Sequence, residues 1–70
     1  MRYLIVIEDS ETGFSAYLPD LSGCAATGQT RQEVELQMRE AIKFHIEGLR
    51  DEGQDVPPGT SYSAYIEIPA

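Results

Sequence analysis

The apolar positions of this chain fall into two rhythms. Residues 2–8 are mostly β-branched or aromatic, with Tyr3, Ile5 and Ile7 on one side and Leu4 and Val6 on the other. That is the pattern of a strand, and apolar side chains on both sides predict a central strand covered on both faces. Asp9-Ser-Glu-Thr-Gly13 is a run of turn formers. Beyond it, Phe14, Ala16 and Leu18 alternate with Ser15 and Tyr17, which predicts a second strand joined to the first as a hairpin. Pro19 cannot donate a ladder hydrogen bond and ends that strand. The short run Cys24–Thr27 predicts a third strand, stopped at Gly28.

The rhythm then changes to that of a helix. Thr30-Arg-Gln-Glu33 fits a capping box. Apolar residues recur at Val34, Met38, Ala41, Ile42 and Leu49, with His45 on the same stripe, so one face is buried. Gly53 suits a C-terminal cap, and Pro57-Pro58 prevents continuation. Alternation returns at Tyr62, Ala64, Ile66 and Ile68, against Ser63, Tyr65 and Glu67. The expected fold is therefore α+β, a single domain over residues 1–70 in the order β-β-β-α-β. An antiparallel meander is followed by a helix on one face. A right-handed crossover returns the last strand parallel to the first, giving sheet order 3-2-1-4. The opposite face has no second helix and is a candidate dimer or partner surface, with Tyr17 and Tyr65 expected on it.

Seventy residues make one domain with a small core. Chains this short are usually reinforced by disulfides, a metal or self-association. Cys24 is the sole cysteine, so no internal disulfide forms, and no Cys/His cluster spells a structural zinc site. Self-association into a dimer or tetramer is the expected reinforcement. The apolar start is interrupted early by Glu8-Asp9, too soon for a secretory segment or a membrane span. The expectation is a cytoplasmic protein with no membrane partner.

Charge sharpens the picture. The net charge is −7, which opposes direct contact with nucleic acid phosphates. From Thr30 to Arg50, Glu33, Glu35, Glu40 and Glu47 balance Arg31, Arg39, Lys43 and Arg50, so the excess lies outside the helix. It gathers as Glu8, Asp9 and Glu11 with Glu67 toward one end of the expected sheet, and as Asp20, Asp51, Glu52 and Asp55 toward the other. One reading is solubility; the other is a surface aimed at a basic protein. Asp51 and Glu52 sit where the helix dipole disfavours negative charge, so they are not there to stabilise the helix.

Candidate chemistry is thin, and no catalytic, cofactor-binding or metal-binding residue is assigned. Two-metal nuclease chemistry needs converging carboxylates, whereas these acids lie in loops at opposite poles. His45 has no indicated nucleophile or carboxylate partner and is expected to pack on the helix stripe. Cys24, without a Cys-x-x-Cys partner, is expected to act as a small buried hydrophobe. Gly23 and Gly28 flank a strand without the Gly-Lys-Ser/Thr of a phosphate loop. Asp20 is expected to cap local N–H groups, with contact to a partner protein the alternative.

Several segments taken together resemble the HicB antitoxin family: Pro19-Asp-Leu-Ser-Gly-Cys24, Gly28-Gln-Thr30, Arg31-Gln-Glu-Val34, Glu40-Ala-Ile42 and Gly48-Leu49. The resemblance covers nearly the whole chain, with Ser22 standing where that loop usually has a second proline. It implies a trimmed ribonuclease H-like core and a role in a type II toxin–antitoxin pair. The implied partner is a small basic HicA-like toxin that cleaves mRNA. Partner-binding candidates are Glu8, Asp9, Glu11, Asp20, Asp51, Glu52, Tyr17 and Tyr65. Many family members add a C-terminal DNA-binding domain, and none is expected within residues 1–70. Two alternatives stand beside the antitoxin: a regulatory or structural oligomer-forming module without a toxin, and a degenerate ribonuclease H-like nuclease.

Overall fold

The computed structural model describes residues 1–69. It contains β1 (Val6–Ser10), β2 (Gly13–Tyr17), β3 (Ala25–Gly28) and α1 (Arg31–Asp51). The strands form one antiparallel sheet in the order β1-β2-β3, and α1 packs over β3 and β2. The α+β class, the meander and the single helix agree with expectation.

The first hairpin is tighter than its turn-forming residues suggested. Pairing continues through Asp9↔Phe14 and Ser10↔Gly13, leaving Glu11 and Thr12 as the connection. At the other end the ladder closes at Val6↔Tyr17, so residues 2–5 lie outside it. Pro19 supplies the reason: it has no N–H to offer and turns the chain away. The loop it begins is closed by the Leu18 N–H donating to the Cys24 carbonyl at 3.2 Å.

The register divides the side chains between two faces. Ile7, Ala16 and Ala26 stand in one cross-strand row and face the helix, where Ala16, Leu18, Leu21, Cys24, Val34 and Met38 form the buried core. Tyr3, Ile5, Phe14, Ile42 and Ile46 pack against it while half exposed. Gly28 permits the close approach of helix to sheet, because a Cβ there would sit 2.8 Å from the Val34 backbone nitrogen.

Both helix ends are closed by their local sequence. The Thr30 hydroxyl accepts from the Glu33 N–H at 3.0 Å, one half of the capping box. At the other end the Gly53 N–H donates to the Arg50 carbonyl at 3.0 Å and the Gln54 N–H to the Leu49 carbonyl at 2.9 Å. With Gly53 at φ +70°, these two bonds make a Schellman cap, which needs a left-handed residue where glycine stands.

Two expectations on the sheet are corrected. Residues 62–68 form no strand, so the order 3-2-1-4 is not seen. Consequently the first strand is an edge of a three-stranded sheet and not a central strand. The chain after α1 is tied down as far as Ser61, and the side chains beyond it stand in solvent, with Tyr62 88% and Ile66 78% exposed. The radius of gyration is 14.0 Å, against roughly 11 Å for a compact domain of this length. The difference reflects this projecting arm.

Candidate protein-binding surface

The face of the sheet away from α1 carries two cross-strand rows. Val6, Tyr17 and Ala25 form one, and Glu8, Ser15 and Thr27 the other. Tyr17 is 46% exposed. This open face therefore combines an aromatic anchor, small neighbours that leave it accessible, and one carboxylate beside them. Arrangements of that kind suit protein–protein contact, in which a few buried aromatics hold a complex and peripheral charges steer it.

The eight residues singled out from the sequence do not converge on one patch. Glu8 and Tyr17 share the open face. Asp9 pairs with Phe14 in the next row and so points to the helix side, at the hairpin end. Glu11 occupies the hairpin connection, adding a third carboxylate there. Asp51 ends the helix and Glu52 caps it, both exposed. Tyr65 is fully exposed on the arm and is not brought to the open face, contrary to expectation; the reason is the missing fourth strand.

Asp20 is the residue whose role the sequence concealed. Its carboxylate does not cap its own loop. It accepts from the Thr60 and Ser61 backbone N–H groups, each at 3.0 Å, and from their hydroxyls at 3.2 and 2.8 Å. These bonds, led by the Ser61 N–H and then its hydroxyl, favour the ionised form and hold the carboxyl below its usual range, against a smaller opposing effect of burial. The Tyr3 hydroxyl donates to the Pro57 carbonyl nearby. Together these contacts pin residues 57–61 to Tyr3 and to the loop that follows β2. A Thr-Ser pair following a proline-rich turn is a signal for such a clamp, though nothing in the sequence shows that its acceptor lies forty residues away.

The remaining candidates have ordinary surroundings. Cys24 is buried, its sulfur 3.8 Å from the Ala41 carbonyl oxygen, and burial pushes its thiol pKa up, away from the thiolate that nucleophilic chemistry needs. His45 is half-buried on the helix. Glu8 and Asp9, the only carboxylates within a strand among the described residues, point to opposite faces and cannot share an ion. Among the described residues no group of three His, Cys, Asp or Glu side chains is placed to hold a metal ion. No helix among them is long and apolar enough to cross a membrane.

The chain is thus a small α+β domain, with a helix on one side of a three-stranded meander and an open, acid-flanked sheet face on the other. Residues 3–70 match the model of the HicB-like antitoxins of bacterial toxin–antitoxin systems, and the chain belongs to that family. A solved structure of the HicA3 and HicB3 toxin-antitoxin complex contains a chain similar to this one. The TM-score is 0.72 and the identity 37%, covering 84% of this chain and 70% of that one. Among curated relatives, an uncharacterized 14.9 kDa protein of Haemophilus phage HP1 is 38% identical over 99% of this chain and 52% of its own length. Antitoxin HicB 2 of Photorhabdus laumondii is 30% identical over the whole of this chain and 51% of that protein. A UPF0150 protein of Thermoplasma acidophilum is 33% identical over 81% of this chain and 84% of its own length. The chain thus spans about half the length of the first two relatives, and most of the third.

Proposed function

We propose that this chain is the toxin-binding part of an antitoxin, a stoichiometric inhibitor that covers a small basic HicA-like ribonuclease in the cytoplasm. Membership of the HicB-like family and the similarity to a chain of a HicA–HicB complex support the reading. The observation that carries it to particular residues is the placement of Tyr17 beside Glu8 on the open sheet face. Glu8 and the acids at the hairpin tip draw in a positively charged partner, and Tyr17 holds it once water is excluded. The domain acts by covering and not by catalysis, with the sheet and helix serving as a reduced ribonuclease H-like core.

The test is co-expression with the small basic protein expected to be encoded beside it. The expected result is that this neighbour alone arrests growth, and that this chain relieves the arrest and co-purifies with it. Tyr17→Ala and Glu8→Lys each abolish relief while leaving the helical circular dichroism of the chain unchanged. If the unmodified chain neither relieves arrest nor co-purifies, the antitoxin reading is lost. If it does both and the two variants do as well, the binding surface lies elsewhere.

A further inference from the structure

Residues 2–5 lie outside the β1-β2 ladder, which closes at Val6↔Tyr17, yet they are not left bare. Residues 59–63 lie beside them, and the two segments together line one groove that includes Arg2, Tyr3, Ile5, Thr60 and Tyr62. The approach is close. A Cβ on Gly59 would overlap the Arg2 carbonyl oxygen and lie 3.4 Å from the Tyr3 Cα, so glycine is the residue that fits there. Polar attachments stand on either side of it. The Tyr3 hydroxyl donates to the Pro57 carbonyl. Beyond Gly59, the Oδ2 atom of Asp20 accepts from both the Thr60 and the Ser61 N–H, while Oδ1 accepts from both hydroxyls.

We propose that residues 57–61 form a strap closed over the chain that leads into β1, and that the Asp20 carboxylate is its latch. Removing the carboxylate opens the strap as one unit and leaves the sheet and helix folded. The strap is held by polar groups and not by the core: Pro57 to Thr60 are exposed, Ser61 is half-buried, and none of them belongs to the buried cluster. Segments with few buried apolar contacts open locally at far less cost than global unfolding.

The loop that carries Asp20, by contrast, is anchored without the carboxylate. Leu18, Leu21 and Cys24 are buried in the core, and the Leu18 N–H closes the loop onto the Cys24 carbonyl. Loss of the latch therefore frees the strap and not the loop. Hydrogen bonds to an ionised acceptor are roughly twice as strong as neutral ones, and one side chain accepts all of those that tie Thr60 and Ser61 to the loop. While shut, the strap lies along residues 2–5, where open backbone would be a template for unwanted pairing. This inference does not depend on the toxin reading.

The experiment is amide hydrogen exchange, paired with nuclear Overhauser contacts between Gly59 and Arg2–Tyr3, on the full chain and two variants. In the unmodified chain the Thr60 and Ser61 amides should be protected and the Gly59 contacts present. Asp20→Ala should speed exchange at Thr60 and Ser61 by about tenfold or more and remove the Gly59 contacts, while the sheet and α1 stay well protected. Gly59→Ala keeps the carboxylate but sets a methyl against Arg2. It should produce the same local loss, which separates release of the strap from the direct effect of the Asp20 charge on nearby amides. Unchanged exchange and contacts in Asp20→Ala overturn the latch. A sheet and helix that become as unprotected as the strap also overturn the proposal, because Asp20 would then support the whole fold. So does a Gly59→Ala chain that keeps Thr60 and Ser61 protected, because the attachments would then move separately.

Discussion

Truncating Met38 to alanine tests whether the core lies where the register places it. Met38 is 1% exposed, in contact with a cluster that includes Ala16, Leu18, Leu21, Cys24 and Val34. The substitution removes Cγ, Sδ and Cε, three groups worth roughly 0.8 kcal/mol each on transfer from water, or about 2.4 kcal/mol together. The cavity left behind adds to this, and measured Met→Ala costs run to about 2–5 kcal/mol, so about 3–4 kcal/mol is expected. At roughly 0.05–0.15 kcal/mol per residue, a domain of this size has about 4–10 kcal/mol in all. The variant should therefore lose a third or more of its stability and melt about 15–30 °C lower, given a shift of ~4–8 °C per kcal/mol for small domains. Phe44→Ala is the control: it removes a larger apolar group from the same helix, but one that is 79% exposed, and should change stability by no more than about 0.5 kcal/mol. Urea unfolding followed by circular dichroism measures both. Protein concentration must be matched, since association raises apparent stability. Equal midpoints for the two variants, or a larger loss from Phe44→Ala, would refute the assignment of the buried face.

Three further outcomes follow from the local geometry. Thr30→Ala should cost about 1 kcal/mol by removing the acceptor of the Glu33 N–H, and Thr30→Ser should restore most of it; both are read from the same urea curves. Asp20 has a folded-state pKa below its ordinary value of 3.8, so its stabilising contribution is complete above that value and is lost as pH falls through the folded pKa. Asp20→Asn should accordingly flatten the acid limb of the stability profile, and an unchanged limb would show that the clamp on Thr60 and Ser61 contributes nothing. Cys24, buried with its thiol pKa pushed up, should react with a thiol reagent far more slowly in the native chain than in urea; equal rates would place it at the surface.

What the sequence made legible was whatever a local pattern could encode. The Thr30 cap, the helix stripe through Val34 and Met38, the Pro19 strand end and the Gly53 cap are decided by neighbours within a few residues. Tyr17 was placed on the open face by alternation alone, and the register confirms it. Leu21 was not recognised: it is 2% exposed, yet it stands alone among turn formers with no period to reveal that the loop folds it into the core. Asp20 was assigned to its own turn because its true donors, Thr60 and Ser61, are distant in sequence. The last strand, read from the alternation at Tyr62–Ile68, is not seen: those residues form no strand in the structure. Alternation at Tyr62–Ile68 says that these residues suit a sheet, but it carries no information about which sheet, or which edge of it.

That separation between pattern and place bears on which surfaces a small domain leaves open to a partner. A three-stranded sheet with one helix leaves uncovered the face opposite α1 and the outer edges of β1 and β3. Each would be a liability on a free monomer, the edges because their backbone groups are a template for further pairing. Acids cluster at the hairpin tip beside the open face, and Glu8 and Asp9 carry that charge onto β1 itself, whereas residues 62–68 hold only Glu67. On the antitoxin reading proposed above, a basic partner is steered toward the hairpin end of that face. Side chains on the face project perpendicular to the sheet while edge pairing runs within its plane, so occupying one does not obstruct the other.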